Sequence, residues 1–210
     1  ILTTLIDRAE AGYYIELLKK GVNFIVLCSK DSPHQEWLKN KGIKIENFEF
    51  KGRIDFSAIK LIRKILRQHS IDIVHSFNSR AITNSLLASF GFKTKQVAYR
   101  GTVGHISRFD PTSWLTFLNP RLDKIICVSD AVANYLRSIN IDSKKIVTIH
   151  KGHDISWYNT TQPTDRKSLG IEEEEFIVSC AANMRHVKGV DLLIESLDYL
   201  AEKNLKLMLI

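Results

Sequence analysis

Glycine is scarce where a nucleotide-binding sheet most often needs it. The first expected turn, Ile6-Asp7-Arg8-Ala9-Glu10-Ala11-Gly12, holds one glycine, and no G-x-G-x-x-G follows the opening strand. Without such glycines the backbone is not free to approach a pyrophosphate, so dinucleotide binding by the usual turn is poorly supported. No G-x-x-x-x-G-K-[ST], H-E-x-x-H or C-x-x-C occurs either, which removes the common phosphate-loop and zinc readings. Cysteine is limited to Cys28, Cys127 and Cys180, far apart and each inside or at the end of an apolar run. Thiols so placed read as buried and free, without a metal or a disulfide, and imply a reducing compartment, hence the cytoplasm. No apolar stretch reaches the roughly 18 residues needed to span a bilayer, although a surface-bound protein stays open. The opening run, residues 1–6, has neither an initiator Met nor the layout of a signal peptide, and a fragment is expected at this end.

What is present is an ordinary globular composition, 44% hydrophobic and 25% charged, enough for one full core and part of another. The formal charge of +7 is unevenly placed. Residues 1–160 carry 24 Lys and Arg against 14 Asp and Glu, whereas residues 161–210 carry 6 against 9. A basic first portion suits anionic partners such as a lipid head group or a phosphorylated glycan, or its lysines simply solvate a surface.

Short β-branched runs at residues 1–6, 22–28, 43–48, 71–76, 96–100, 124–128 and 145–149 alternate with helix-period segments at 9–20, 33–40, 56–69, 80–90 and 130–139. That alternation predicts an α/β fold, a doubly wound parallel sheet with crossover helices. Gly21, Gly42 and Gly91 fall where left-handed caps would close three of the helices. The pattern fades between Gly152 and Asp165 into a polar, turn-rich hinge that includes Thr160 and Thr161. Two domains are expected, 1–158 and 166–210. The second would hold a strand at 176–182, a helix at 189–203 and a strand at 205–210, and would continue past Ile210.

Ligands in doubly wound folds gather beyond the carboxyl ends of the strands. This selects Asp7 and Arg8, His75 to Asn78, Arg100 to His105, Ser129, His150 to Asp154, and Asn183 to Gly189. His75 has no carboxylate close in sequence to suggest a nucleophilic triad. Arg185 and Lys188 are two cations three residues apart on a loop before a helix, either a ready anion site or a solvated turn.

Three segments in order, Cys127-Val128-Ser129-Asp130-Ala131, His150-Lys151-Gly152-His153-Asp154 and Arg185-His186-Val187-Lys188-Gly189-Val190-Asp191-Leu192-Leu193-Ile194, resemble glycosyltransferase family 4. The resemblance implies a retaining transferase of GT-B type, with an acceptor-side domain followed by the start of a donor domain. It implies that Arg185 and Lys188 contact the donor diphosphate. Gly12 stands in for the family's glycine pair after the first strand, and Lys151 replaces the Asn of its "NGvD" segment. Arg100 occupies the place of a family histidine after the fifth strand, so it reads as a binder of phosphate or acceptor; guanidinium does not act as a base. His105, five residues further on, is the catalytic candidate. No metal or other cofactor is implied. The expected partners are a nucleotide sugar and a glycan or lipid-linked acceptor, with peripheral membrane contact left open, and not nucleic acid. The family's carboxylate pair would lie past Ile210, so the 210 residues alone are expected to be inactive. A GT-B nucleotide-sugar epimerase and a non-catalytic glycan- or surface-binding module stand as alternatives.

Overall fold

The computed structural model of the chain describes residues 1–159, 162–200 and 205–210. The chain divides into two compact units, Ile1–Asp154 and Ile155–Ile210. The first is built on a wholly parallel sheet. Its strands are β1 (Ile25–Cys28), β2 (Lys44–Asn47), β3 (Ile73–Ser76), β4 (Lys95–Arg100), β5 (Lys124–Cys127) and β6 (Ile146–Thr148). One half pairs β1 with β2, the other runs β3-β4-β5-β6, and residues 1–4 join the halves. Leu2 bridges Leu27 on one side and Ser76 on the other. Backbone amides of Leu2, Thr3 and Phe77 continue both ladders to His75, Leu27 and Leu2 carbonyls.

The seven strand segments expected from the sequence therefore all pair, six of them shorter than expected and β4 longer by Lys95. Val22 cannot start β1, because its amide is spent closing the preceding helix onto Leu17 O while Gly21, at φ 73°, binds Leu18 O. Likewise residues 5–6 leave the sheet as the chain turns into α1 (Arg8–Lys19).

The helices after each strand are α1, α2 (Gln35–Asn40), α3 (Phe56–His69), α4 (Ser79–Ala88), α5 (Pro111–Trp114) and α6 (Asp130–Ser138). All of these starts but that of α2 are set by side-chain caps: Asp7, Asp55, Asn78, Asp110 and Ser129 each accept from an amide of the first turn. Each such cap is worth about 1 kcal/mol. The sequence reading missed α5, although Asp110-Pro111 carries its signal, an N-cap followed by proline at the first helical position.

Alternation along the strands sends side chains to opposite faces. Val26 and Cys28 pack with Ile6, Ala11, Tyr14 and Leu38, whereas Leu27 and Val74 pack with Ala58, Ile62 and Leu66 of α3. A third cluster joins Ala98 and Ile125 to Leu136 of α6. Fully buried aliphatics such as Ile82, Ile125 and Leu136 contribute about 1.5–3 kcal/mol each.

The second unit pairs β7 (Phe176–Cys180) with β8 (Leu205–Leu209) in parallel, in a sheet of its own. Between them α7 (Val190–Glu195) gives way to a 3-10 turn, Ser196–Leu200, so the expected helix is shorter; its positions 201–203 lie outside the described residues. Within the expected hinge, Ile155–Tyr158 forms a 3-10 turn, and Thr160 and Thr161 lie outside the described residues. Among the described residues no helix is long and apolar enough to cross a membrane.

Candidate functional site

Strand order reverses between segment 1–4 and β3. The chain leaves the first toward α1 on one face and leaves β3 toward α4 on the other, which opens a crevice at the carboxyl edge. Polar side chains line it. Asn78 caps α4 through Oδ1 to Ala81 N (3.0 Å) and donates from Nδ2 to Thr4 Oγ1 (2.9 Å), tying the two diverging loops together.

Asp7 caps α1, accepting from Glu10 N at 2.8 Å, and also accepts from Lys151 Nζ. Burial pushes the Asp7 carboxyl upward, but the Lys151 bond and the helix amides outweigh it and the net shift is down. Glu10 goes the other way. Burial and the charge of Asp7 push it up to about 7, against hydrogen bonds from Thr3 and Tyr14 and the more distant Lys151. The Tyr14 hydroxyl donates to Glu10 Oε2 at 3.1 Å. The crevice thus holds one firmly ionised carboxylate and one that titrates near neutrality, the division of labour that acid–base sites use.

Tyr99 stacks on Phe77 with ring centroids 5.3 Å apart. Burial raises its hydroxyl, which also senses Lys151, Asp7 and Glu10. A Cβ at position 101 would come within 3.3 Å of the Tyr99 ring, so Gly101 is what lets the loop pass beside it. His75, by contrast, is a core residue: its ring packs 4.4 Å from Phe77 and edge-on to Tyr13, its Nε2 has no hydrogen-bond partner among the described residues, and burial pushes it down to about 4.

Arg100 is half-buried and turned back on its own loop. Nε donates to Thr102 O at 2.8 Å, a terminal nitrogen donates to Gly104 O, and the guanidinium lies 4.7 Å from the Phe117 ring centroid. Five positions on, His105 is exposed at φ 61°, a left-handed backbone that a non-glycine residue rarely adopts. Gly12 does not sit in a turn. The Asp7 cap starts α1 at Arg8, which places Gly12 inside the helix. His150 Nε2 lies 3.7 Å from Asp130 Oδ2 at the surface.

In the second unit Arg185 is extended and exposed, its amide bonded to Asn183 O at 2.7 Å. Lys188 ends the 3-10 turn His186–Lys188, and Gly189, at φ 63°, turns the chain into α7. Both side chains are exposed.

The sequence marks Asp7 and Lys151 as separate candidates; their pairing, and the parts of Thr3, Glu10 and Tyr99, come from the fold. A cavity of about 600 Å³ opens instead among the amino ends of the strands, between Leu17, Ile62, Leu66 and His75. Its apolar lining and its position at the edge opposite to the diverging loops make it a packing feature, and the chemistry is assigned to the carboxyl edge.

The profile described as Glycosyltransferase Family 4 matches residues 14–157. A lipopolysaccharide core biosynthesis mannosyltransferase, LpsB of Rhizobium meliloti (strain 1021), is 33% identical over 90 residues, covering 41% of this chain and 23% of that protein. Among solved structures, Anabaena Alr3699/HepE in complex with UDP-glucose superposes with a TM-score of 0.73 at 20% identity, over 99% of this chain and 58% of that one. The UDP-N-acetylglucosamine 2-epimerase of Rickettsia bellii gives a TM-score of 0.57 at 15% identity, over 99% of this chain and 60% of that one. The chain thus spans about three-fifths of these solved proteins and under a quarter of the mannosyltransferase.

Proposed function

The chain belongs to glycosyltransferase family 4 and folds in the GT-B manner, and from that premise we propose that the protein transfers a hexose or similar sugar from a nucleoside diphosphate sugar to an acceptor hydroxyl, with retention. The acceptor is read as a glycan or lipid-linked precursor of a surface polysaccharide, met in the cytoplasm or at its membrane face. The observation that carries this reading is the polar crevice of Asp7, Glu10, Lys151, Tyr99 and Asn78 at the reversal of strand order; Asn78, Tyr99 and Lys151 fall inside the matched span, and Asp7 and Glu10 lie just before it.

In this reading Arg185 and Lys188 hold the departing diphosphate, whose negative charge grows as the glycosidic bond breaks. Two cations there favour that state over the ground state and ask for no metal or further cofactor. Asp7 and Glu10 accept hydrogen bonds from acceptor hydroxyls, which orients the nucleophilic oxygen. Arg100 shapes the acceptor loop through its bonds to Thr102 and Gly104, and can lend charge to an acceptor phosphate or carboxylate. His105 is the loop's exchangeable proton carrier, and Gly12 leaves α1 without bulk at that position.

The test is a panel of UDP- and GDP-sugars offered to the full-length protein with and without glycan acceptors. The expected result is transfer from one donor with its anomeric configuration kept. The likeness to the Rickettsia enzyme supports one alternative, nucleotide-sugar epimerisation, which would convert donor without any acceptor. Binding of no nucleotide sugar at all would leave only a glycan- or surface-binding module.

A further inference from the structure

Two phenylalanines of the first unit stand almost free of the protein. Phe109 is 98% exposed and Phe56 is 82% exposed. Burying such side chains is favourable, and an ordinary surface does not hold two of them out without cause. Neither is on a floppy tip. Phe56 is the first residue of α3, directly after the buried cap Asp55. Phe109 rides a turn tightened by its own amide to Ser107 Oγ, by Asp110 N to Ser107 O, and by Trp114 Nε1 to Arg108 O.

The two loops are neighbours. Asn84 of α4 donates to Arg53 O (3.0 Å) and accepts from Asp55 N (2.8 Å), while the adjacent Thr83 donates to Leu115 O (3.2 Å). Across the gap Asp110 is held below its ordinary range by Thr112 first, with Arg53 adding to the effect. Ile54, Val103 and Trp114, each about half exposed, extend the apolar area.

Charge surrounds it on one side of the balance. Helix α3, FSAIKLIRKILRQH, has four Lys and Arg and no acidic residue. Phe56, Lys60, Lys64 and Arg67 fall at i, i+4, i+8 and i+11, one stripe of the helix, and all are exposed. Lys51, Arg53 and Arg108 are exposed around the loops. Of the nearby acids, Asp55 is buried in its cap, Asp110 faces Arg53 and its own turn, and Glu49 accepts from Ser29. Aromatic side chains projecting from rigid turns beside a cationic helix face match the chemistry of an anionic bilayer surface, where rings enter the head-group boundary and each cation adds attraction.

We propose that loops 51–56 and 107–114, with the exposed stripe of α3, form the surface by which this protein docks on an anionic lipid bilayer. This extends the acceptor-side reading above, and the two fail separately, because vesicle binding requires no sugar transfer. An acidic partner protein would need cations matched to fixed points; here they form a stripe and a rim around apolar tips, which suits a laterally uniform surface.

The experiment is sedimentation of the full chain with vesicles of phosphatidylcholine alone or of equimolar phosphatidylcholine and phosphatidylglycerol. Binding is expected only to the mixed vesicles, falling as salt rises. Replacing both Phe56 and Phe109 by Ser should weaken it about tenfold or more, and Lys60→Gln with Lys64→Gln should weaken it similarly and flatten its salt dependence. Lys20→Gln, an exposed cation elsewhere, should bind as the wild type, and circular dichroism should show all variants folded. No preference for anionic vesicles, or a phenylalanine double variant that binds as well as the wild type, overturns the proposal; absence of vesicle binding would point the patch toward a protein.

Discussion

Lys151 donates to Asp7 across 144 positions of chain, so the segment that follows the last strand of the first sheet is fastened to the loop that follows the first. The contact spans the carboxyl edge from β6 back to the point where strand order reverses. A double-mutant cycle between Lys151→Ala and Asp7→Asn should return a coupling of about 0.5–1 kcal/mol that shrinks in high salt, because both side chains are partly solvated. Asp7→Ala should cost about 1 kcal/mol more than Asp7→Asn in urea unfolding, since asparagine still caps α1 and alanine does not.

Glu10 makes the first unit's stability fall as pH rises. Its folded pKa of about 7 lies above its unfolded value of about 4.5, so the fold favours the protonated form. Full stability is present below the unfolded value and is lost progressively up to about pH 7. Glu10→Gln should therefore raise stability at pH 8 by on the order of 1–3 kcal/mol and leave it nearly unchanged at pH 4. Thermal melts of both proteins across that range check it. A Gln variant that differs from the wild type by the same amount at both ends would mean that the fold does not raise the Glu10 carboxyl.

The elements whose side chains alternate between a core and a helix were the legible ones. Ile25-Val26-Leu27-Cys28 and Ile73-Val74 could only be strands, and Ile62 and Leu66 could only face them. What could not be read was where long polar side chains end. Arg100 looked like a ligand group because it stands at a strand's carboxyl end, yet its guanidinium is drawn back by two carbonyls and the Phe117 ring. Glu10 stands in the sequence only as one member of an expected turn. Its role depends on Thr3, Asp7, Tyr14 and Lys151, and on a burial that no local pattern encodes.

Arg100→Ala should loosen the loop from Gly101 to Asp110 and cost about 1–3 kcal/mol. Arg100→Lys should not rescue it, because one ammonium cannot reach both carbonyls and also cover the aromatic ring. Limited proteolysis within the loop, compared with urea midpoints, separates local loosening from global unfolding.

Asn84 is fully buried and ties Arg53, Asp55 and Arg80 to one side chain. Asn84→Leu keeps the branched shape but adds bulk and strands the Asp55 amide, and should lower stability by about 2–4 kcal/mol. A loss under about 1 kcal/mol would mean that the loop finds other partners at little cost.

Arg185→Ala and Lys188→Ala, made in the full-length protein, should each weaken nucleoside diphosphate binding about tenfold, the effect of one charge-assisted bond. Calorimetric titration measures it directly. Unchanged affinity in both variants removes these residues from the donor site.

Residues 1–4 have a consequence for how the first unit is made. They are the seam between a two-stranded and a four-stranded half-sheet, and the amides of Thr3 and Phe77 belong to ladders on either side of it. During synthesis the seam emerges before either of its partners: it cannot pair with Leu27 until that residue appears, and its second side stays open until Ser76 does. For that interval the central strand of the future sheet is an unpaired edge. Closure of so long a loop before its contacts are rewarded is the slow kind of step in folding. The exchange of the Leu2 and Phe77 amides with solvent should thus report the last event of assembly in the first unit.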